Sequence, residues 1–570
     1  MRNERRSFMR AAALAAISVV LLLSGTDGAA PRREWQKRWV YIASNLYVDE
    51  NVQKIEDVLR RARAADYTGV LFSDTKTLTW PLLGEPERWK RNAAKVRAAA
   101  TKLGLELVVS VFPFGYSESF LANDPNLAAG LPIREAALVR RGDRLVPEEP
   151  AGVGNGSFEE YRGDRAADFG LQDDSGNGSF IDTKIFREGR ASIRFENTGV
   201  VNEHGLGRVF QRIAVKPWQQ YRIRVWMKTE RLTADMIGVV ALVSRRSLQY
   251  QDLAIPEGQG FRYVDSAEDL TTDWVEQSVT FNSLNYTSVI VGAGVWGAKG
   301  GKIWWDDLRV DAVPTLNVLR RETLPLAVTG RRGAVYEEGR DFDRIADPAL
   351  GRSRWPGTYD TRHEPPAIGV PAGSRIREGE RVSLSCYHPA IIYGGRVSCT
   401  LVNDKIFDLC RRQIEWTNET KGFRSSGELL AFNIRRCREI AKRTGRGKPL
   451  YVWSDMFDPY HNARGGYYLV NNSFAESWKG LDPEVTVMKW GEPEKAGKSL
   501  AFFSRRVKRI MIAGFYDGDV KANHALWANA IGEAPNVVGV MYTTWRGDYS
   551  KLEEFARVWW GGARAAPERR

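Results

Sequence analysis

The chain has 570 residues, of which 43% are hydrophobic and 27% are charged. This ordinary globular composition excludes a wholly disordered or fibrous chain. At roughly 150 residues per domain the length allows about three to four domains, and two or three are expected because barrels and sandwiches run larger. The formal net charge of +13 would by itself allow a nucleic-acid partner.

Residues 1–30 have the pattern of a signal peptide, with a possible twin-arginine motif at Arg5 and Arg6. Charged residues precede an apolar run over 11–23, and small residues follow it. Because the run is short for a membrane span, we expect an exported protein, periplasmic or extracellular, with no stable membrane span after cleavage. An uncleaved anchor is the alternative. Residues 1–30 hold four arginines and two acids, which leaves +11 without a basic block and argues against nucleic acid.

Residues 31–150 alternate strand and helix patterns, and we interpret them as the first part of an α/β barrel. Strands about 30 residues apart with helices between them imply parallel pairing and right-handed crossovers. The predicted order is strand 39–43, helix 49–65, strand 69–72, helix 86–103 and strand 105–112.

Residues 151–313 lose the helical period. Short runs that alternate apolar and polar residues replace it, and Gly, Asn and Asp punctuate them. This pattern predicts an all-β sandwich. Its position between α/β units indicates a domain inserted into a barrel loop, where insertions are tolerated.

The two ends of this insert resemble a known family. Asn155 to Glu159 and Ile303 to Val310 resemble the first and last strands of the carbohydrate-binding modules found beside xylanases and cellulases. The resemblance implies a jelly roll and a carbohydrate ligand. Members often hold a structural calcium through acids near these ends, which would make Glu159 and Asp307 metal ligands. The alternatives are that both acids only cap strands and that the insert is a spacer.

Residues 314–562 are interpreted as the second part of the barrel, and 563–570 as a disordered tail. Outside the insert there are nine candidate strands for eight positions, so either 381–388 or 413–417 is extra. The predicted fold class is therefore α/β, a (β/α)₈ TIM barrel interrupted by an all-β jelly-roll sandwich. The other strands of this part are 450–453, 485–488, 509–515 and 537–542.

Acids and rings follow nearly every predicted strand, at the end where TIM barrels carry their active sites. Acids supply proton transfer or a nucleophile, and rings stack on sugar faces. The strongest segment is Trp453 to Asn462, although Asp458 could simply turn the chain before Pro459 while Asp455 caps a helix. The substrate-binding candidates are Asp74, Glu118, His388, Asn418, Trp453, His461, Tyr516, Asp517 and Trp545.

Trp453-Ser454-Asp455 and Trp545 resemble the β-N-acetylhexosaminidase-like glycoside hydrolases, in which one strand ends Trp-x-Asp and the last ends in Trp. The family carries an Asp-Glu pair one strand earlier, where Glu is the general acid. Here Asn418-Glu419 stands nearest, so the resemblance implies Glu419 as acid, with Asp455 as its partner and Asp458 in reserve. Asn418 has no charge to stabilise a cationic intermediate, which puts substrate-assisted chemistry in doubt.

Three hypotheses about function follow. The main one is an exported glycoside hydrolase that cleaves a glycan with two carboxylates. The alternative is a non-catalytic carbohydrate-binding protein with a degenerate barrel. A weaker third takes the charge of +11 as a sign of acidic, uronate-containing glycans. No catalytic cofactor is expected, because the four Cys and five His give no zinc spacing and no phosphate-binding glycine loop is present.

Overall fold

The computed structural model describes most of the chain beyond the first 33 residues. The predicted signal peptide and the tail 563–570 lie outside the described residues. The described ranges are 34–74, 86–110, 117–148, 152–172, 175–243, 246–257, 260–264, 266–353, 357–393, 395–400, 426–444, 449–465, 473–491, 495–515, 517–532 and 534–561.

The α/β part is one parallel sheet with helices packed against it. Its strands are β1 (Lys37–Ala43), β2 (Gly69–Ser73), β3 (Glu106–Val109), β4 (Tyr451–Trp453), β5 (Thr486–Lys489), β6 (Arg509–Ala513) and β7 (Val537–Tyr542). The helices are α1 (Asp49–Ala64), α2 (Pro86–Lys102), α3 (Ser426–Thr444), α4 (Ala496–Ser504), α5 (Val520–Ile531) and α6 (Leu552–Trp560). The strand order is β4-β5-β6-β7-β1-β2-β3, so the two ends of the chain meet where β7 pairs with β1.

Side chains alternate between two apolar layers along these strands, because successive residues of a strand point to opposite faces. On β1, Val40 and Ile42 join the layer beneath the helices. Trp39 and Tyr41 join a second layer on the opposite face, with Leu71, Met488, Met511 and Met541. The sheet is therefore buried on both faces, which explains why its strands read as continuous apolar runs.

The β sandwich predicted for the middle of the chain is confirmed. Two antiparallel sheets share one apolar core, to which both contribute residues such as Ile223, Trp305, Val239 and Val291. The five-stranded sheet contains Ala267–Asn282, Gln220–Ala234, Gly300–Ala312, Ser192–Glu196 and Ser179–Asp182. The six-stranded sheet contains Gly260–Val264, Arg246–Glu257, Met236–Val243, Ser288–Trp296, Gly207–Ala214 and Gly170–Leu171.

The predicted (β/α)₈ TIM barrel is wrong. The segment 381–388 does form a strand, Arg381–Pro389, but it pairs antiparallel with Gly130–Arg141 in a separate sheet. The other surplus strand, 413–417, lies outside the described residues. Within the described part of the chain the parallel sheet has seven strands, and neither β3 nor β4 has a second neighbour. An apolar run predicts a strand but not its partner, which explains the error.

We call the separate six-stranded antiparallel sheet the third sheet. It has its own apolar core, which includes Leu138, Val328 and Leu384. Its strands are Val335–Tyr336, Ala327–Thr329, Arg381–Pro389, Gly130–Arg141, Arg144–Pro147 and Ile368–Gly369. The short α-helices are Glu118–Asn123 and Thr198–Val201, and two strand pairs stand apart, Tyr161–Arg162 with Arg165–Ala166 and Ile391–Tyr393 with Arg396–Val397. The 3₁₀ helices are Pro125–Leu127, Arg331–Gly333, Asp455–Phe457 and Ser477–Gly480. No helix in the described ranges is long and apolar enough to span a membrane.

Buried polar side chains join the sandwich to the third sheet. Arg222 of the sandwich, 2% exposed, donates to the carbonyl oxygens of Thr361, Arg362 and His363 at 3.4, 3.3 and 2.8 Å. Nδ2 of Asn282 lies 2.9 Å from Nε2 of His388. We call Arg222, Asn282, His363 and His388 the joint. Its hydrogen bonds offset the cost of removing these groups from water.

The two histidines of the joint differ in charge. Burial lowers the pKa of His388 to about 3, so its ring is neutral at pH 7. Hydrogen bonds to Asp347 and Asp360 raise the pKa of His363 to about 9, so its ring is protonated at pH 7. Nε2 of His363 lies 2.9 Å from Oδ2 of the fully buried Asp347 carboxylate. A buried carboxylate therefore stabilises this imidazolium in the segment whose backbone Arg222 contacts.

Candidate functional site

The carboxyl ends of the parallel strands bring several predicted residues to one edge, which we call the rim. Trp453 ends β4 and Asp455 begins the 3₁₀ turn Asp455–Phe457. Trp490 follows β5, Asp517 follows β6 and Trp545 follows β7. Parallel strands share this edge, so side chains distant in sequence meet there.

Four aromatic rings form a continuous cluster at the rim. The ring centroid of Trp545 lies 5.6 Å from that of Tyr41 and 6.0 Å from those of Trp453 and Trp490. Tyr41 and Trp453 meet edge to face at 5.9 Å. These separations are typical of stabilising aromatic pairs. Trp545 is 45% exposed, so the cluster presents an indole to solvent.

Asp455 lies beside this cluster and accepts hydrogen bonds from neutral donors. Its Oδ1 accepts from Nε1 of Trp490 at 3.0 Å, and its Oδ2 accepts from Nδ2 of Asn462 at 3.2 Å. The two bonds fix both the carboxylate and the Trp490 indole. Each carboxylate oxygen has a second lone pair, so Asp455 can also accept a hydrogen bond from a ligand hydroxyl.

Asp458 lies beneath the rim in a buried ion pair. Its Oδ2 is 3.3 Å from Nζ of Lys489, and the two side chains are 0% and 3% exposed. The imidazole of His461 packs edge-on against Trp490, with ring centroids 4.9 Å apart. The ion pair anchors the loop that carries Asp455 and His461 to the end of β5.

Asp517 fixes the position of Trp545. Its Oδ1 accepts from Oγ1 of Thr544 at 2.5 Å, and its Oδ2 accepts from the backbone N of Trp545 at 2.9 Å. Asp517 has a φ of +53°, a conformation that Asp tolerates better than most residues. The carboxylate therefore ties the loop after β6 to the loop after β7.

The structure does not bring all the predicted site residues together. Asp74 follows β2 but is 6% exposed, and it accepts from the backbone N of Leu46 and from Nε1 of Trp89 at 3.1 and 2.9 Å. His388 lies in the joint. Glu118 begins the short helix Glu118–Asn123 and lies close to Gly357. The remaining predictions, Asn418, Glu419 and Tyr516, lie outside the described residues.

Two rings of the rim cluster received no role from the sequence. Trp490 directly follows β5, so its position at a strand end was the signal that could have selected it. Tyr41 lies within β1, and the alternation of that strand predicts that it shares a face with Trp39. Which face lies inside the sheet's curve depends on the other strands, and no local pattern gives that information.

The two predicted calcium ligands have protein partners. Oε1 of Glu159 accepts from the backbone N of Arg190 and of Ala191 at 2.7 and 3.1 Å. Oδ1 of Asp307 accepts from Nε of Arg309 at 2.5 Å. In the described ranges no group of three or more His, Cys, Asp or Glu could hold a metal. Calcium binding by these two acids stays a prediction.

No protein-family model and no curated protein matches the sequence. Among solved structures the chain is similar to the carbohydrate-binding module TmCBM61 in complex with β-1,4-galactotriose (14% identity, 29% of this chain and 99% of that chain, TM-score 0.20). It is also similar to the CBM22-1 xylan-binding domain from Paenibacillus barcinonensis Xyn10C (12%, 28% and 92%, 0.20) and to a cyclase from Fischerella sp. TAU (15%, 29% and 98%, 0.23).

The named neighbours are thus carbohydrate-binding modules and a cyclase, and they give no support for a hexosaminidase barrel. Each likeness spans under a third of the chain at a TM-score of 0.23 or less. The geometry of the rim, rather than these likenesses, indicates a function.

Proposed function

We propose that this protein binds a carbohydrate at the rim. The observation that carries the proposal is the half-exposed indole of Trp545, held in a cluster with Tyr41, Trp453 and Trp490. A fixed aromatic face offers a sugar ring an apolar surface at little cost in conformational entropy. Asp455 lies next to this face and can accept a sugar hydroxyl.

Preorganisation of the rim supports the proposal. Asp517 fixes the backbone of Trp545, and Asp455 fixes the indole of Trp490. The Asp458–Lys489 pair holds the loop between them. Binding sites commonly place a few polar groups around aromatic walls that are already in position. Little side-chain ordering would therefore oppose sugar binding at the rim.

The proposal is tested by titrating the chain with neutral oligosaccharides, including galacto-, xylo- and gluco-oligosaccharides. We expect Trp545→Ala to weaken binding about tenfold, which corresponds to the roughly 1.4 kcal/mol of one aromatic contact. Tyr161→Ala is the matched control, since Tyr161 lies in the separate strand pair Tyr161–Arg162 with Arg165–Ala166 and is 44% exposed. Unchanged affinity in Trp545→Ala, or an equal loss in Tyr161→Ala, would refute binding at the rim.

Hydrolysis is a second candidate function, favoured by the position of Asp455 at the rim. In that hypothesis Glu419 is the general acid and Asp455 its partner. The test is turnover of aryl glycosides and polysaccharides by the wild type, Glu419→Gln and Asp455→Asn. Loss of turnover with retained binding in both variants would establish the chemistry. Saturable binding without turnover by the wild type would leave the protein a carbohydrate-binding one.

We also propose that the protein is exported after cleavage of residues 1–30. The charged start, apolar run and small residues of that segment support the proposal. The measurement is the N-terminal sequence of the protein recovered from the cell envelope or the medium. An intact N-terminus in the cytoplasmic fraction would contradict export.

A further inference from the structure

A cavity on the third sheet lies apart from the rim and has no role in the function proposed above. Its volume is about 460 Å³, and it is lined by Val139, Arg141, Glu148, Arg331, Gly379, Glu380 and Arg381. Three strands and a turn build it, since Gly130–Arg141, Arg144–Pro147 and Arg381–Pro389 pair side by side and Arg331–Gly333 follows Ala327–Thr329. Three guanidinium groups from three different elements therefore border one cavity.

The acids that line the cavity already have partners. Glu148 forms an ion pair with Arg381. Glu380 accepts a hydrogen bond from the hydroxyl of Tyr336 through Oε1, and from the backbone N of Arg377 at 2.8 Å through Oε2. Both carboxylates therefore already have partners within the protein.

Arg141 and Arg331 are the remaining cations of the lining. In the part of the chain that the structure describes, no carboxylate lies within 4.0 Å of either guanidinium. Each guanidinium presents up to five N–H donors in a planar fork that matches a carboxylate or a sulfate. Two such forks at one cavity favour an oxyanion.

We propose that this cavity binds the oxyanion group of an acidic saccharide, either the carboxylate of a uronate or a sulfate ester. The choice of a saccharide rests on the function proposed for the rim. Glu148 and Glu380 favour it independently. They leave the three arginines of the lining an excess of only one positive charge, which matches one isolated oxyanion better than the closely spaced phosphates of a nucleic acid, and their carboxylates can accept sugar hydroxyls. The cavity would give the basic chain a second, charge-selective contact with saccharides.

The experiment titrates the full chain, by calorimetry at 50 mM salt, with an oligogalacturonate, its methyl ester, a sulfated oligosaccharide and a single-stranded DNA. The ester keeps the sugar rings and removes the charge. We expect an acidic saccharide to bind at least tenfold more tightly than the ester. Arg141→Met and Arg331→Met should each weaken that binding five- to tenfold, and 200 mM salt should weaken it further.

Arg212→Met is the matched control, because Arg212 is exposed on the sandwich and its loss changes the net charge equally. Selective binding of the uronate identifies a carboxylate ligand, and selective binding of the sulfated oligosaccharide identifies a sulfate. Equal affinity for acid and ester, an equal loss in Arg212→Met, or tighter binding of the DNA would overturn the proposal.

The two proposals fail in different ways. If neutral oligosaccharides bind through Trp545 and no acidic saccharide binds more tightly, the cavity proposal is wrong and the rim proposal stands. If acidic saccharides bind and Trp545→Ala has no effect on any ligand while Arg141→Met does, the rim proposal is wrong. If no saccharide binds, both proposals are wrong.

Discussion

The rim and the joint contain the same types of side chain in opposite circumstances. The rim has His461 and Lys489 among aspartates, and the joint has two histidines and Arg222, with Asp347 as the partner of His363. In the joint every one of these groups meets another part of the protein, and Arg222 is 2% exposed. At the rim Trp545 is 45% exposed, beside a carboxylate that neutral donors hold in place. His388 shows that a histidine after an apolar run can belong to a packing contact, so residue type alone does not identify a site.

Substitution of the Asp458–Lys489 pair tests whether buried polar contacts beneath the rim stabilise the fold as those of the joint do. Lys489→Met should leave a buried carboxylate without its cation and lower the free energy of unfolding by about 3–5 kcal/mol. The measurement is denaturant unfolding. The double variant Asp458→Asn with Lys489→Met should recover much of this loss, since no uncompensated charge remains. A loss below about 1 kcal/mol in Lys489→Met would show that the pair does not stabilise the fold.

Arg222→Met tests the joint directly. The substitution removes the donor that serves three backbone carbonyl oxygens, so we expect the free energy of unfolding to fall by about 2–3 kcal/mol. Saccharide binding at the rim should not change. The exposed Arg212→Met serves as control and should alter stability by no more than about 0.5 kcal/mol. Similar values for the two variants would show that the joint adds no stability.

His363 gives the joint a dependence on pH. Its pKa is raised in the folded state to about 9, above the usual value of about 6.5. Its contribution is therefore complete below pH 6.5 and disappears as the pH rises through 9. The full shift corresponds to roughly 3 kcal/mol. Because the ring is partly exposed to solvent, which screens its charge, the free energy of unfolding should fall by about 2 kcal/mol over that range, and His363→Gln should remove the fall. The same slope in wild type and variant would assign it to other groups.

Asp517→Asn should have the smallest effect. The amide keeps one acceptor but cannot serve both Thr544 and Trp545, so the indole would become less well positioned. We expect roughly threefold weaker binding of a neutral oligosaccharide and a stability change below about 1 kcal/mol. Asp57→Asn, an exposed change on α1, is the control. Unchanged affinity would mean that Trp545 needs no support from Asp517.

Sequence patterns predicted the local elements better than their arrangement. The alternating runs of 151–313 predicted the sandwich, because a half-buried strand needs one apolar face whatever its partner. The strand at 381–388 was also predicted, but its pairing with Gly130–Arg141 was not. The same apolar run satisfies a parallel and an antiparallel neighbour, and this ambiguity led to the wrong barrel.

The sequence also predicted part of the candidate site, because position at a strand end is a local property of the chain. Trp453, Asp455, His461, Asp517 and Trp545 all follow strands of one parallel sheet, so a rule about strand ends placed them at the rim. His388 lies within an antiparallel strand of the third sheet, where that rule does not apply. Tyr41 belongs to the ring cluster because its side chain lies on the sheet face that residues of strands distant in sequence also line.

By itself the sequence determined the alternation of apolar and polar residues, the segments that form strands and helices, and the acids and rings that follow the parallel strands. Those properties depend on neighbours along the chain. Only the tertiary structure decided that the parallel sheet has seven described strands, that His388 is buried and neutral, and that three arginines border one cavity. Exposure, charge state and ligand access depend on atoms hundreds of residues away, because burial and Coulomb interactions are set by distance in space.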